Sequence, residues 1–171
     1  MTKNLIVKIS NGFGNQMFLY ASAYAFSKKM GYNLLIDDES GIKHDCKKWI
    51  KKKRINWIPK YELGIFNLNS SIAKDKYKFL NSAKYFQRKY FKILDKFFLK
   101  KRFLIEKLNK NKTTFFSDQY LSQKYHDTTY LEGYFESERY FINYRNDLLK
   151  EFSFKLNTDL KKNIFMNIIN D

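Results

Sequence analysis

Gly12-Phe13-Gly14-Asn15-Gln16 holds two glycines and two side-chain amides within five residues. Glycines let a backbone come close to a ligand, and side-chain amides offer donors and acceptors suited to sugar hydroxyls. A helix beginning just behind them adds unpaired N–H groups and a partial positive charge for a phosphate or hydroxyl oxygen. The turn lacks the third glycine of G-x-G-x-x-G, and no Gly-Lys-Ser/Thr follows it, so it is neither a dinucleotide fingerprint nor a P-loop. A Gly-x-Gly bend is also the ordinary way to turn tightly from strand to helix, and that structural reading stays open.

A second set lies late in the chain. Glu132, Glu136 and Glu138, with Asp127 nearby, flank the aromatic loop Gly133-Tyr134-Phe135. A carboxylate can deprotonate an acceptor hydroxyl when burial raises its pKa. The competing reading is solvated acids and a helix-start charge pair. The loop either stacks on a sugar ring or joins the core. The catalytic candidates are therefore Glu132 and Glu136. The substrate-binding candidates are Gly12, Phe13, Gly14, Asn15, Gln16, Gly133, Tyr134 and Phe135. His44-Asp45-Cys46 has no second cysteine or partnered histidine at ligand spacing, so no metal site is expected. His126-Asp127 has no reactive Ser or Cys motif and makes no triad.

Leu5-Ile6-Val7-Lys8-Ile9 reads as a strand closed by Ser10-Asn11-Gly12. Asn15 is suited to cap a helix running from Gln16 to Met30, with Phe18, Ala21, Ala25 and Phe26 near helical spacing. Lys28, Lys29 and Gly31 mark its end. Tyr32–Asp37 is a second strand, so the chain opens as a βαβ unit with a parallel sheet. Residues 40–60 are polar and Lys-rich and are read as a loop or extension. Tyr61–Phe66 resumes a packed segment.

Ala83–Lys112 is expected as one helix, with Phe86, Tyr90, Leu94, Phe97, Phe98, Leu104, Ile105 and Leu108 near one face. Thr113–Phe116 and Thr129–Leu131 are strand candidates. Ser137–Phe152 reads as a helix with Phe141, Tyr144, Leu148 and Leu149 toward the core. A last helix is expected over 158–169.

At 171 residues with 44% hydrophobic and 19% aromatic content, the chain can bury a core, which argues against disorder. Lys and Arg number 33 against 17 Asp and Glu, a net charge of +16 that attracts polyanions. Much of the excess is Lys in a composition also rich in Asn, Ile, Phe and Tyr, as AT-rich coding produces. The basic run 84–112 admits three readings: a scaffold helix with solvated lysines, an interfacial helix on an anionic membrane, and, least favoured, a nucleic-acid surface. The lone Cys46, the short apolar start and the lack of a long apolar run point to a cytosolic protein, with peripheral attachment to the inner membrane face as the variant.

Asn11-Gly12-Phe13-Gly14-Asn15-Gln16-Met17-Phe18-Leu19-Tyr20-Ala21 resembles the N-terminal signature of bacterial α-1,2-fucosyltransferases (glycosyltransferase family 11), with Leu19 where the family usually has Gln. Tyr61–Asn67 resembles the family's Tyr-x-Leu-x-x-Phe-Asn stretch. Tyr130–Phe141 resembles its Gly-Tyr-Phe-Gln-Ser-x-x-Tyr-Phe stretch. The resemblance implies an α/β, Rossmann-like parallel-sheet lobe of a GT-B-type enzyme, with 1–171 as the N-terminal lobe and a basic helical insertion over about 74–112. It implies transfer of L-fucose from GDP-L-fucose to the 2-hydroxyl of a galactose-like acceptor, with inversion and no cofactor or essential metal. In bacteria such reactions decorate lipopolysaccharide or capsule. The early glycine loop of related enzymes lies beside the donor, which carries over to Gly12, Phe13, Gly14 and Asn15. The family's His-x-Arg-Arg-x-Asp donor motif does not occur in these residues. The expectation is a chain without its donor lobe, with poor donor binding and little or no turnover, the alternatives being an inactive glycan-binding or interaction fragment and a nucleic-acid-binding domain.

Overall fold

The computed structural model describes residues 2–51, 58–106 and 116–155. Within them, five strands form one sheet in the order β3-β2-β1-β5-β4, and every neighbouring pair is parallel. β1 (Asn4–Lys8) is central. It pairs Asn4 to Asn33 through Lys8 to Asp37 with β2 (Asn33–Asp37), and Asn4 to Thr128 through Val7 to Leu131 with β5 (Lys124–Glu132). β3 (Ser71–Ile72) and β4 (Lys100–Ile105) are the edges. A parallel sheet needs cover on both faces, and the strand sequences comply: Leu5, Ile6 and Val7 are all fully buried, whichever face they point to.

One face is covered by α1 (Phe13–Met30). Its residues Leu19 to Ser27 are all buried, because the helix lies between the sheet and an outer layer. That layer comprises α4 (Gln119–Ser122), two short 3₁₀ turns and α5 (Arg145–Glu151). A helix enclosed on all sides needs no polar stripe, and Ala21, Ser22, Ala23, Ala25 and Ser27 keep it slim. Gly31 ends it in the left-handed region at φ 66°, where a β-carbon is costly. The expected strand–turn–helix–strand opening is thus present. Its cap differs: the helix starts at Phe13 with Gly12 in the N-cap position, so Asn15 sits in the first turn and caps nothing.

Several expectations are corrected. Residues 40–51 are not a loop but α2 (Ser40–Lys51), started where the Asp37 carboxylate accepts from the backbone N–H of Glu39 and Ser40. The long helix after Ala83 is instead α3 (Ser82–Phe97) followed by β4, so Leu104 and Ile105 are strand residues. Asp95 makes that break, its carboxylate accepting from the N–H of Arg102 and Phe103 at 2.8 Å each. Ser137–Phe152 is two 3₁₀ turns and then α5, because Tyr140 is drawn into the ring cluster of Phe26, Phe135 and Tyr120. Leu148 is buried there, whereas Leu149 is exposed. β5 is longer than Thr129–Leu131, and Phe116 is not in a strand. Leu108, Thr113–Phe115 and the helix expected at 158–169 lie outside the described residues.

Candidate functional site at the carboxyl edge of the sheet

In open parallel sheets, ligands bind beyond the carboxyl ends of the strands. The glycine turn stands there, at the end of the central strand. Asn11 adopts φ 63° and donates its N–H to Asp45 Oδ2 at 2.7 Å. The Gly12 carbonyl accepts from Gln16 N at 3.0 Å, which leaves the amides of Phe13, Gly14 and Asn15 as the unpaired first turn of α1. Phe13 and Gly14 are exposed and Asn15 is half-buried.

Phe13 stacks on Phe66, with ring centroids 5.8 Å apart, and lines a hollow of about 340 Å³ with Lys60, Tyr61, Glu62, Gly64 and Ile65. On its other flank, Gly14 borders an apolar groove of about 290 Å³ between α1 and α5. A β-carbon added at Gly14 would meet nothing within 4 Å. Gln16 differs from its neighbours, being fully buried. Its Nε2 donates to the carbonyls of Asn11 and Lys60, and its Oε1 accepts from Glu62 N. It therefore ties the 60–62 segment to the turn and has no polar group left for a ligand.

Glu132 ends β5, the strand beside β1. It is 4% exposed and meets three cations. Arg88 donates to both carboxylate oxygens, Lys92 Nζ is 2.5 Å from Oε2, and Lys8 Nζ is 3.7 Å from it. Burial alone would raise its pKa, but Lys8, Arg88 and Lys92 together outweigh that and hold it at about 2. A carboxylate so paired stays ionised and is a poor proton acceptor, so the condition under which Glu132 would serve as a base is not met. The same positive field acts on His44: burial first, then Lys8 and Arg88, lower its pKa against the opposing pull of Asp45.

The loop after Glu132 is divided. Phe135, at φ 51°, is fully buried among Phe26, Tyr120 and Tyr140, which is the core reading. Tyr134 is half-buried and Glu136 exposed. Gly133 has φ 157°, and a β-carbon there would lie 2.5 Å from Glu106 Cβ. Glu106, at the end of β4, accepts from the N–H of Tyr134 and Phe135 at 2.7 and 2.8 Å. Its Oε1 is buried with no hydrogen-bond partner among the described residues, and burial raises its pKa despite those two bonds.

The parallel register brings the two sets together. The strands that end in the glycine turn and in Gly133 are hydrogen-bonded neighbours, and Lys8 bridges them to Glu132. His126 lies within β5, away from that edge. Among the described residues no three His, Cys, Asp or Glu side chains are grouped to hold a metal ion. Lys8, Arg88, Lys92 and Glu106 were not singled out by sequence, and Asp45 was weighed only as a metal ligand. Each acts on a partner 28 to 124 positions away, and no local spacing signals such a contact.

These features define a parallel α/β unit with an open glycine turn at its carboxyl edge. Comparison with models of protein families, with curated proteins and with solved structures finds no match.

Proposed function

We propose that this chain is the N-terminal lobe of a GT-B-type glycosyltransferase, and that the reaction it serves is fucose transfer from GDP-L-fucose to the 2-hydroxyl of a galactose-like acceptor. In that reaction the acceptor oxygen bonds to the anomeric carbon of fucose, GDP departs with the bonding electron pair, and the hydroxyl proton passes to a base. Three segments support the reading by resemblance: Asn11–Ala21, Tyr61–Asn67 and Tyr130–Phe141. The first two also meet in space, since Phe13 and Tyr61 line one hollow and Gln16 bonds Glu62.

The observation that carries the proposal is Gly14. Its φ is not positive and its surroundings are empty, so the fold itself makes no demand for glycine there. A glycine that packing does not require, in an exposed first turn at the carboxyl edge of a parallel sheet, fits close approach of a ligand to backbone amides. Phe13 and Tyr61 offer ring faces for a sugar, and Glu62 a carboxylate for its hydroxyls. Of the two carboxylates considered as base, Glu132 is committed to its cations and Glu136 is exposed, so neither meets the burial condition for a base among the described residues.

A second reading, glycan binding without catalysis, is favoured by that commitment of Glu132. Calorimetric titration of the chain with GDP-L-fucose and with a β-galactoside distinguishes them. Both readings expect galactoside binding; only the transferase lobe is expected to bind the nucleotide sugar as well, and weakly, because the His-x-Arg-Arg-x-Asp donor motif does not occur in these residues. Gly14→Ala should weaken the nucleotide-sugar complex by about tenfold or more, ~1.4 kcal/mol, while the fold is kept. Absence of GDP-L-fucose binding, or an unchanged affinity in Gly14→Ala, defeats the transferase proposal.

A further inference from the structure

α3 is turned inside out. Arg88, Lys92 and Asp95 face the sheet, the first two on Glu132 and the third on the start of β4. Most of the apolar stripe that sequence periodicity groups on one face points to solvent, Leu94 being half-buried: Phe86 is 66% exposed, Tyr90 58% and Phe97 79%, joined by Ile93 at 54%. These positions are spaced by four, three and four residues, so they form one continuous ridge along the helix. Phe98 and Leu99, 55% and 89% exposed, extend it beyond the helix end. Isolated exposed apolar residues need no explanation, but a contiguous ridge of six marks an interaction surface.

Charge identifies the partner. Between Ser82 and Lys100 the only acidic residue is Asp95, and it is buried. Lys89 and Lys96 flank the ridge on one side, Lys100 follows it, and all three are exposed. Lys89 Nζ lies 4.9 Å from the Tyr85 ring centroid and 5.9 Å from that of Phe86, so its stem runs along the apolar surface with the charge at the margin. A second copy of the chain would bring the same positive charges against these, which disfavours self-association. Lys100 also lies 3.9 Å from the exposed Asp127, so Lys89 and Lys96 are the cations set against the ridge itself. A phenylalanine-rich ridge edged by lysines, on a helix with no exposed carboxylate of its own, is the composition of a helix lying in an anionic lipid interface.

We propose that α3 and residues 98–100 form a peripheral docking surface for anionic lipid bilayers. The aromatic ridge enters the headgroup boundary and the lysines meet lipid phosphates. This is independent of the transferase reading. No helix among the described residues is long and apolar enough to cross a membrane, so attachment through this surface is by one leaflet.

Vesicle flotation tests it with the 171-residue chain. Vesicles of phosphatidylcholine with about one third phosphatidylglycerol should carry the protein at low salt, pure phosphatidylcholine about tenfold less, and about 0.5 M salt should release much of it. Phe86→Ser with Phe97→Ser, and separately Lys89→Glu with Lys96→Glu, should each reduce the bound fraction about tenfold. Both pairs are exposed, and circular dichroism verifies that the variants remain folded. Failure of the parent chain to float with anionic vesicles at low salt overturns the proposal. So does undiminished flotation of either folded variant, and so does self-association abolished by the Phe86/Phe97 pair in the absence of flotation.

Discussion

All the polar capacity of the Gln16 amide goes to main-chain groups of residues 11, 60 and 62. Removing it leaves part-buried main-chain groups of these residues without that partner, where a fully buried group left unpaired would cost about 1–3 kcal/mol. Gln16→Leu should therefore lower unfolding stability in urea by ~1–3 kcal/mol, whereas Asn15→Ala should change it by about 0.5 kcal/mol or less and act on ligand binding instead. Equal losses in the two variants would contradict this division of labour. Glu132 makes a pH prediction with a definite sign. Its folded pKa of about 2 lies below its ordinary 4.5, so its contribution is fully present above pH 4.5 and is lost as pH falls through about 2. A gap of that size is worth ~3 kcal/mol. Glu132→Gln should flatten the acid limb of the stability curve between those values and cost ~3–5 kcal/mol near neutrality, because three cations lose their counter-charge. An acid limb identical to that of the parent would show that the ion cluster contributes nothing.

The elements were legible where their signals are local. Lys28, Lys29 and Gly31 mark the end of α1, and the apolar run from Leu5 marks β1, because caps and strand runs act through near neighbours. The facing of α3 was not legible. Periodicity shows that a helix has an apolar side but not that the opposite side will be claimed by Glu132, some 40 positions away. Two glycines make the same point about helix starts. Gly41 in α2 is required, since a β-carbon there would stand 2.0 Å from the Ile9 carbonyl oxygen; Gly14 in α1 is not. Gly41→Ala should cost ~2–4 kcal/mol by pushing α2 off the end of β1. Gly14→Ala should leave stability unchanged or raise it by up to ~1 kcal/mol, as helix propensity dictates. Thermal unfolding of both variants checks this, and a destabilised Gly14→Ala would return that glycine to a structural role.

For the molecule as a whole, the βαβ opening was enough to anticipate a parallel α/β sheet, and the placement of a Gly-rich turn at its carboxyl edge followed from topology. The partners of that edge were not foreseeable, since β5 reaches the side of β1 only after the chain has crossed from β3 to β4. That crossing is what sets Glu132 beside Lys8 and the 133–136 loop beside the glycine turn. The net charge of +16 is spread over a fold whose cations are partly engaged in the sheet-facing ion cluster and partly displayed beside the α3 ridge.

The most direct test of the glycine-turn site is a titration of the isotope-labelled chain with GDP-L-fucose, followed through its backbone amide resonances. Saturable shifts concentrated at Phe13, Gly14 and Asn15, and spreading to Tyr61 and Glu62, are predicted. Shifts absent from these five amides at saturating ligand would contradict the account.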